Sequence, residues 1–379
     1  MTAIRTALVA GGGIGGLTAA AALAQQGIAV DLVEIQDVMT IYGVGIIQPN
    51  NTLRALAKIG VAQACVGAGA PYPGWRIYDA HGAVLMDAPS GSEAAPEYPP
   101  NNGITRPILH QILTTAAKSA GAHISYGESI ADLTDDGEGV DVRFTSGATA
   151  RYDLVIGCDG LYSTMRRRLF GNGSEPEFTG QGVWRYNLPR PASMEWGELY
   201  EGPDSKVGFV PLSPSLMYML IVTAEPGNPR FERSTLADEM RMRLRSYTGI
   251  VAELAHLITD PDEVVYRPLE ALLLPDPWMK GRVIVIGDAA HGTTPHLAQG
   301  AAMAIEDAVL LGELMGRDAP VNGLLREFMD RRFTRSKFVV DSSRQIGIWE
   351  MQGWQGISNP DAHPGALLHS ATLALMQPF

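Results

Sequence analysis

The sequence predicts an α/β fold: a Rossmann-like nucleotide-binding domain, interrupted by an inserted antiparallel β-sheet and completed by C-terminal helices. Three observations predict it. A strand, a glycine turn, a helix and a second strand follow one another between Thr6 and Glu34. From about Glu177 to Arg267, short β runs such as Lys206 to Pro211 and Leu216 to Thr223 alternate with Pro, Gly and Ser, as in an antiparallel sheet. The chain then returns to a buried strand, Val283 to Ile286, and to helices from about Ala301 to Met315 and from about Leu324 to Trp349.

The remaining elements follow in order. The first strand is the apolar run Thr6 to Ala10, and an Ala/Leu-rich helix is expected from about Leu17 to Gln26. Gly27 stands where a helix-ending glycine belongs, before the second strand, Ala29 to Glu34. A Gly-rich loop from Tyr42 to Asn51, a helix near Thr52 to Ile59 and a Pro/Gly-rich passage from Gly69 to Gly103 come next. A helix from roughly Pro107 to Ala120 precedes strands that lead to the segment DLVIGCDG, Asp153 to Gly160. Helical periodicity returns near Ser234 to Leu257. The expected organisation is a discontinuous nucleotide-binding domain of residues 1–70, 104–175 and 276–379, with a substrate domain of 71–103 and 176–275.

Composition narrows the partners. The net charge of −12 speaks against nucleic acid or an anionic membrane, which would repel so acidic a surface. Arg166, Arg167 and Arg168 read as a solvated helix face. Two cysteines, Cys65 and Cys158, are too few for a disulfide framework, which points to a reducing, cytoplasmic setting, and Cys158 reads as a small buried residue. The early apolar run Ala7 to Ala10 is too short for a signal peptide, and no stretch reaches the length of a bilayer span. The apolar tail from Gly365 to Met376 is expected to pack on the body or on another subunit, in a monomer or homodimer.

Gly11, Gly13 and Gly16, with Ile14 between them, fit G-x-G-x-x-G at the junction of strand and helix. The first glycine allows the tight turn, the second lets a pyrophosphate approach the backbone, and the third lets helix and strand pack closely. The helix start offers free N–H groups to the phosphates. Glu34, at the end of the second strand, can accept hydrogen bonds from ribose hydroxyls and disfavours a 2′-phosphate. This motif establishes a dinucleotide without choosing which.

A second segment, Arg282 to Ala308, brings a strand to Gly287 and Asp288 and starts a helix at Gly300 and Ala301. Asp288 can accept hydrogen bonds from a polyol chain, and the helix start favours negative charge on whatever lies above it, as on a reduced flavin. His291 and His296, five residues apart on a Gly/Thr/Pro loop, are poor metal geometry, so no metal is expected. No G-x-S-x-G serine elbow occurs.

This segment resembles the FAD-contacting motif of the para-hydroxybenzoate hydroxylase-like single-component flavoprotein monooxygenases. Asp288, a proline over the flavin at Pro295, and Gln299–Gly300 match, while Ala298 stands where a glycine is common and predicts a slightly different loop path. Asp159–Gly160, followed by Ser163 and Arg166, match the motif that supports the pyrophosphate, although Asp159 also suits a helix cap. Arg106 matches an arginine near the FAD phosphates or is a surface helix start. Gly43, Val44 and Gly45 match a loop passing the isoalloxazine, and Ile130 matches a backbone contact to adenine or is simply core.

The resemblance implies an FAD-dependent monooxygenase using NADH or NADPH and O2. It would hydroxylate a small phenolic or N-heteroaromatic substrate through a flavin C4a-hydroperoxide, with the protein supplying position and dryness. Substrate-facing candidates on the inserted sheet are Arg185, Tyr186, Lys206 and Tyr218, joined by His296 beside Pro295. Epoxidases and reductases on the same scaffold, or a non-catalytic redox module, stay open; the Trp-x-Trp-x-Ile-Pro segment of flavin halogenases is absent.

Overall fold

The computed structural model describes residues 4–38 and 43–379, so Tyr42 lies outside the described residues. A six-stranded sheet forms the first layer, in the order Met279–Lys280, Val283–Val285, Leu154–Gly157, Thr6–Ala10, Ala29–Glu34 and His123–Tyr126. All neighbours in it run parallel except the edge pair at Met279–Lys280. Its central strands read as continuous apolar runs, Ala7–Leu8–Val9 and Leu154–Val155–Ile156, because both of their faces are covered. The glycine-motif helix Ile14–Gln25 lies between this sheet and the helices Gly300–Met315 and Arg106–Ser119. That position explains why the helix is apolar all round rather than on one stripe. It starts one turn before the expected Leu17, because Gly16 packs against the strand from within the helix.

The inserted sheet has seven strands, in the order Val265–Ala271, Glu177–Pro189, Leu216–Ala224, Ser205–Pro211, Gly197–Glu201, Gly74–Asp79 and Val84–Pro89. It is antiparallel apart from the pair Gly197–Glu201 and Gly74–Asp79. The strand Glu177–Pro189 has two distinct faces. Trp184, Tyr186 and Leu188 join Met217, Met219 and Ile221 in a core covered by the short helices Leu236–Met242 and Gly249–Ala255. Gln181, Val183, Arg185 and Asn187 point the other way, toward the parallel sheet's side of the molecule.

Several local expectations are corrected. The Gly-rich loop is in large part a strand, Gly45–Pro49, paired with Asn101–Thr105, and the next helix already begins at Asn50. A pairing across so long a separation leaves no local trace. The helical stretch near Ser234 to Leu257 is broken, with Gly249 at φ +59° opening the second piece. Arg166 is not solvated: its guanidinium is fully buried and donates to the carbonyls of Ser174 and Ala289. Cys158 is only half-buried.

The last long helix extends further than expected, Val321–Trp354, and a further helix, Pro364–Met376, follows it. The apolar tail packs within this chain. Arg54 and Arg335 donate to the carbonyls of Ala374, Leu375, Met376 and Gln377, satisfying a helix end that would otherwise lack partners. Among the described residues, no helix is long and apolar enough to cross a membrane.

Candidate functional site

The glycine turn is built by close approach. Gly11 takes φ +110°, and a Cβ there would sit 2.5 Å from the Cys158 carbonyl oxygen. A Cβ on Gly16 would meet the Gly11 oxygen at 1.9 Å, whereas one on Gly13 would meet nothing within 4 Å. Gly13 caps the helix with no side-chain acceptor, so the N–H groups behind it point into open space. Glu34 braces the turn, its Oε2 accepting from Gly12 N–H (2.7 Å) and its Oε1 from Gln36 N–H (2.9 Å). His110, absent from the sequence reading, donates from Nε2 to the Gly12 carbonyl (2.9 Å). Its own signal is weak, being one histidine inside an amphipathic helix.

Asp159 serves as a cap. Its carboxylate accepts from Thr164 and Met165 N–H and from the Ser163 hydroxyl, which starts the helix Thr164–Phe170. Gly160 follows at φ +79° with open space where a side chain would be. Ile130 opens the strand Ile130–Asp135, is buried, and gives its carbonyl to Arg168.

Asp288 follows Gly287, which takes φ +62°. A buried carboxylate fixes that turn: Asp307 accepts from Gly287 N–H (2.9 Å), His291 Nε2 (2.6 Å) and Arg332 Nε (2.6 Å). Burial alone would push the Asp307 acid up, but His291, Arg332 and these hydrogen bonds hold it down to about 2. Beyond the loop, Ala298 adopts the left-handed conformation at φ 54°, the one a glycine takes freely, and keeps it at a cost of about 1–2 kcal/mol. Gln299 exchanges two amide hydrogen bonds with Asn51 and leads into the helix Gly300–Met315, whose start has no side-chain cap.

Asp288 reaches solvent and Arg106, Cys158 and Arg185 are partly accessible, although burial shifts each of their pKa values; Arg106 feels the charge of Asp288, and Arg185 that of Arg106. Side chains that are deep and still reachable line an internal cleft. With the open cradles at Gly13 and Gly160, this cleft fits a pyrophosphate at one end and a polyol chain along Asp288. The family described as FAD binding domain matches residues 5–343.

The chain belongs to the FAD-binding monooxygenase family.

The 2-heptyl-3-hydroxy-4(1H)-quinolone synthase of Pseudomonas aeruginosa is 32% identical over 91% of this chain and 90% of its own. The aurachin C monooxygenase/isomerase of Stigmatella aurantiaca is 30% identical over 91% of this chain and 90% of its own. The crystal structure of Klebsiella pneumoniae HpxO with FAD and uric acid has the same fold, with a TM-score of 0.86 over 98% of this chain and 97% of that one, at 23% identity.

In this FAD-dependent monooxygenase the inserted sheet lies over the cleft. Tyr218 packs on Gly45 so closely that a Cβ there would lie 2.3 Å from its ring. The neighbouring loop is tied down by Val44, whose carbonyl accepts from Arg106 N–H (3.2 Å), and by Gly43, whose carbonyl accepts from Asn187 Nδ2 (3.0 Å). Tyr186 is a correction: strand alternation turns it into the far core, where its hydroxyl meets Asp260 N–H.

Lys206 and His296, the latter beside Pro295, are joined by a residue the sequence reading missed. Glu350, on the helix Val321–Trp354, takes the Lys206 ammonium on one oxygen and His296 Nε2 (3.0 Å) and Gln181 Nε2 (3.2 Å) on the other. His296 Nδ1 meets the Thr294 hydroxyl (2.8 Å), so both ring nitrogens are engaged beside Pro295. The side chain of His296 is 2% exposed and that of Glu350 10%. Glu350 follows the expected end of its helix, and only tertiary packing carries it to the cleft.

Burial pushes Glu350 up, but Lys206 and His296 outweigh it and hold the acid at about 2. Asp307 behaves alike. Both folded values lie below the unfolded ones of about 4.3 and 3.9. Their stabilisation is therefore complete above the unfolded values and lost as pH falls through the folded ones. Unfolding free energy is expected to drop between about pH 5 and pH 2, on the order of 2 kcal/mol for each acid. Urea titrations across that window check it, and Glu350→Gln should flatten the slope; an unchanged slope refutes the assignment.

Proposed function

We propose that the enzyme takes electrons from NADH or NADPH and uses O2 to hydroxylate a small phenolic or N-heteroaromatic compound in the cleft under the inserted sheet. The observation that carries this reading is the sheet's cleft face, where Arg185 and Tyr218 flank the partly exposed Leu220, with Val183 and Val222 buried beside it. An apolar shelf with a few polar groups suits a flat, functionalised ring. The names of the quinolone synthase and of the HpxO–uric acid crystal support an N-heteroaromatic, since both compounds are nitrogen heterocycles.

Bound FAD supplies the oxygen chemistry. Gly11, Gly13, Ile14 and Gly16 would receive its pyrophosphate, helped by Arg106 and the turn at Asp159–Gly160. Asp288 would take the ribityl chain, and the N–H groups at Gly300 and Ala301 would face the ring system. Glu34 would lie at the ribose, Ile130 at the adenine, and Val44 and Gly45 along the ring. Tyr218 would hydrogen-bond a substrate hydroxyl or keto group, while Lys206 and His296, fixed by Glu350, hold Pro295 and close the cleft to water. The sheets support a division into an FAD-binding part, residues 1–70, 104–175 and 276–379, and a substrate part, 71–103 and 176–275. The strand Asn101–Thr105 lies on the seam.

The test is to load the protein with FAD and screen phenols and hydroxylated N-heterocycles for stimulated NAD(P)H oxidation, with catalase accounting and product mass. A product heavier by one oxygen atom is expected. Hydrogen peroxide accounting for all oxygen consumed with every compound overturns the reading. Asp288→Ala is expected to weaken FAD retention about tenfold, the scale of one lost charge-assisted hydrogen bond. Unchanged flavin content after gel filtration would remove Asp288 from the ribityl chain.

A further inference from the structure

Gly11, Gly12 and Gly13 stand in a row, so no side chain of their own limits the peptide planes of the turn. Two neighbours hold those planes instead, one each. Glu34 Oε2 accepts from Gly12 N–H (2.7 Å), which fixes the plane between Gly11 and Gly12. His110 Nε2 lies 2.9 Å from the Gly12 carbonyl oxygen, which fixes the next plane, between Gly12 and Gly13. A Cβ on Gly12 would come within 3.1 Å of the Glu34 side chain, so a larger residue would push the first of these contacts apart.

The imidazole is prepared for its contact. A carbonyl oxygen only accepts, so Nε2 carries the proton. Nδ1 faces the Thr114 hydroxyl at 3.3 Å, one turn along the helix Arg106–Ser119, and accepts from it in the neutral ring. His110 is buried, and that burial pushes its pKa below the usual histidine value against the opposing pull of the Gly12 carbonyl and of Glu34. The ring is therefore neutral at neutral pH, with one donor and one acceptor and a partner for each. Arg106 stands one turn earlier on the same side of the helix, and its N–H donates to the Val44 carbonyl (3.2 Å). One helix thus ties down both the glycine turn and the loop at Val44.

A trans peptide is planar, with its C=O and the following N–H pointing in opposite directions. Holding the Gly12 C=O on His110 therefore aims the Gly13 N–H away from His110, and that N–H meets no acceptor among the described residues. We propose that His110 is a positioning residue for FAD: by fixing the Gly12–Gly13 peptide it sets the direction of the Gly13 N–H that receives the pyrophosphate, without touching the cofactor itself. The assignment rests on the placement of the pyrophosphate at Gly13 given above, and adds the residue that makes this donor rigid before the cofactor arrives. A donor fixed in advance has little freedom left to lose, so the gain falls on affinity.

The test is calorimetric titration of FAD into the apo-protein, each variant first shown to be folded by circular dichroism. His110→Leu is expected to bind FAD about tenfold more weakly, the scale of one hydrogen bond. His110→Gln keeps an N–H donor at similar reach and is expected to bind within about twofold of the parent. In a Gly13→Ala background, where the pyrophosphate is already displaced, His110→Leu should cost no more than about a further twofold, because both residues act on one donor. Parent-like binding by His110→Leu, a His110→Gln variant as weak as His110→Leu, or a full loss added on top of Gly13→Ala each overturns the proposal. Should His110→Leu not fold, Thr114→Val carries the test. It frees the imidazole to turn and is expected to weaken FAD about two- to threefold, and parent-like affinity overturns the proposal. The two assignments fail separately. Gly13→Ala binding FAD like the parent removes the pyrophosphate from Gly13, whereas a weak Gly13→Ala beside a parent-like His110→Leu leaves the cradle standing and removes only His110.

Discussion

Gly13→Ala is expected to fold as the parent does and to hold FAD about 10- to 100-fold more weakly. Gly13 has φ −73° and ψ −174°, a conformation alanine adopts, and its Cβ would enter open space in the protein without ligand. The added methyl therefore meets only the pyrophosphate, and the clash falls on binding rather than on folding. Gly16→Ala is the counterpart. Its Cβ would lie 1.9 Å from the Gly11 oxygen, where backbone meets backbone and neither can move aside. That variant is expected to lose stability with or without flavin. Isothermal titration with FAD and unfolding of the apo-protein separate the two effects. If Gly13→Ala unfolds early, or binds FAD like the parent, the cradle is not where the phosphates go.

Arg332→Met is expected to destabilise the protein by about 3–5 kcal/mol, the usual result of removing one partner from a buried ion pair. Arg332 is fully buried and is held by Asp307 and Glu306 on the facing helix. Its removal leaves Asp307 with His291 and the Gly287 N–H, and Glu306 with Arg335 and Asn51. Because Asp307 also fixes the turn before Asp288, FAD affinity should fall along with stability. Urea unfolding of apo- and FAD-loaded protein measures both. A variant within about 1 kcal/mol of the parent would show that the remaining partners already neutralise the two acids.

Much of the FAD side was legible because its signals are local. A glycine with a forbidden Cβ, a strand that stops at Glu34 and a helix that starts at Gly300 each leave their mark within a few residues. The substrate side was legible only in part. Alternation along Glu177–Pro189 separates Arg185 from Tyr186, but the sequence alone does not say which face meets the cleft. Glu350 and Arg332 were invisible for another reason: on a long amphipathic helix a charged residue looks solvated until a distant carboxylate, lysine or histidine is brought against it. Asn50 and the strand Gly45–Pro49 were hidden by glycines that read as loop, when a remote partner strand was supplying their hydrogen bonds.

The strand Glu177–Pro189 keeps its two sets of side chains in separate compartments, Trp184, Tyr186 and Leu188 in the far core and, on the opposite face, Val183 packed with Val222 and Leu269 beside the partly exposed Arg185 and Asn187. Arg185 and Asn187 can therefore change chemistry while Val183 and the even-numbered positions go on specifying the fold. Such a strand is a ready substrate for divergence. A duplicated copy could drift from one aromatic to another by exchanging three or four residues on a single face, and a mutagenesis library confined to that face should yield folded proteins with altered appetites.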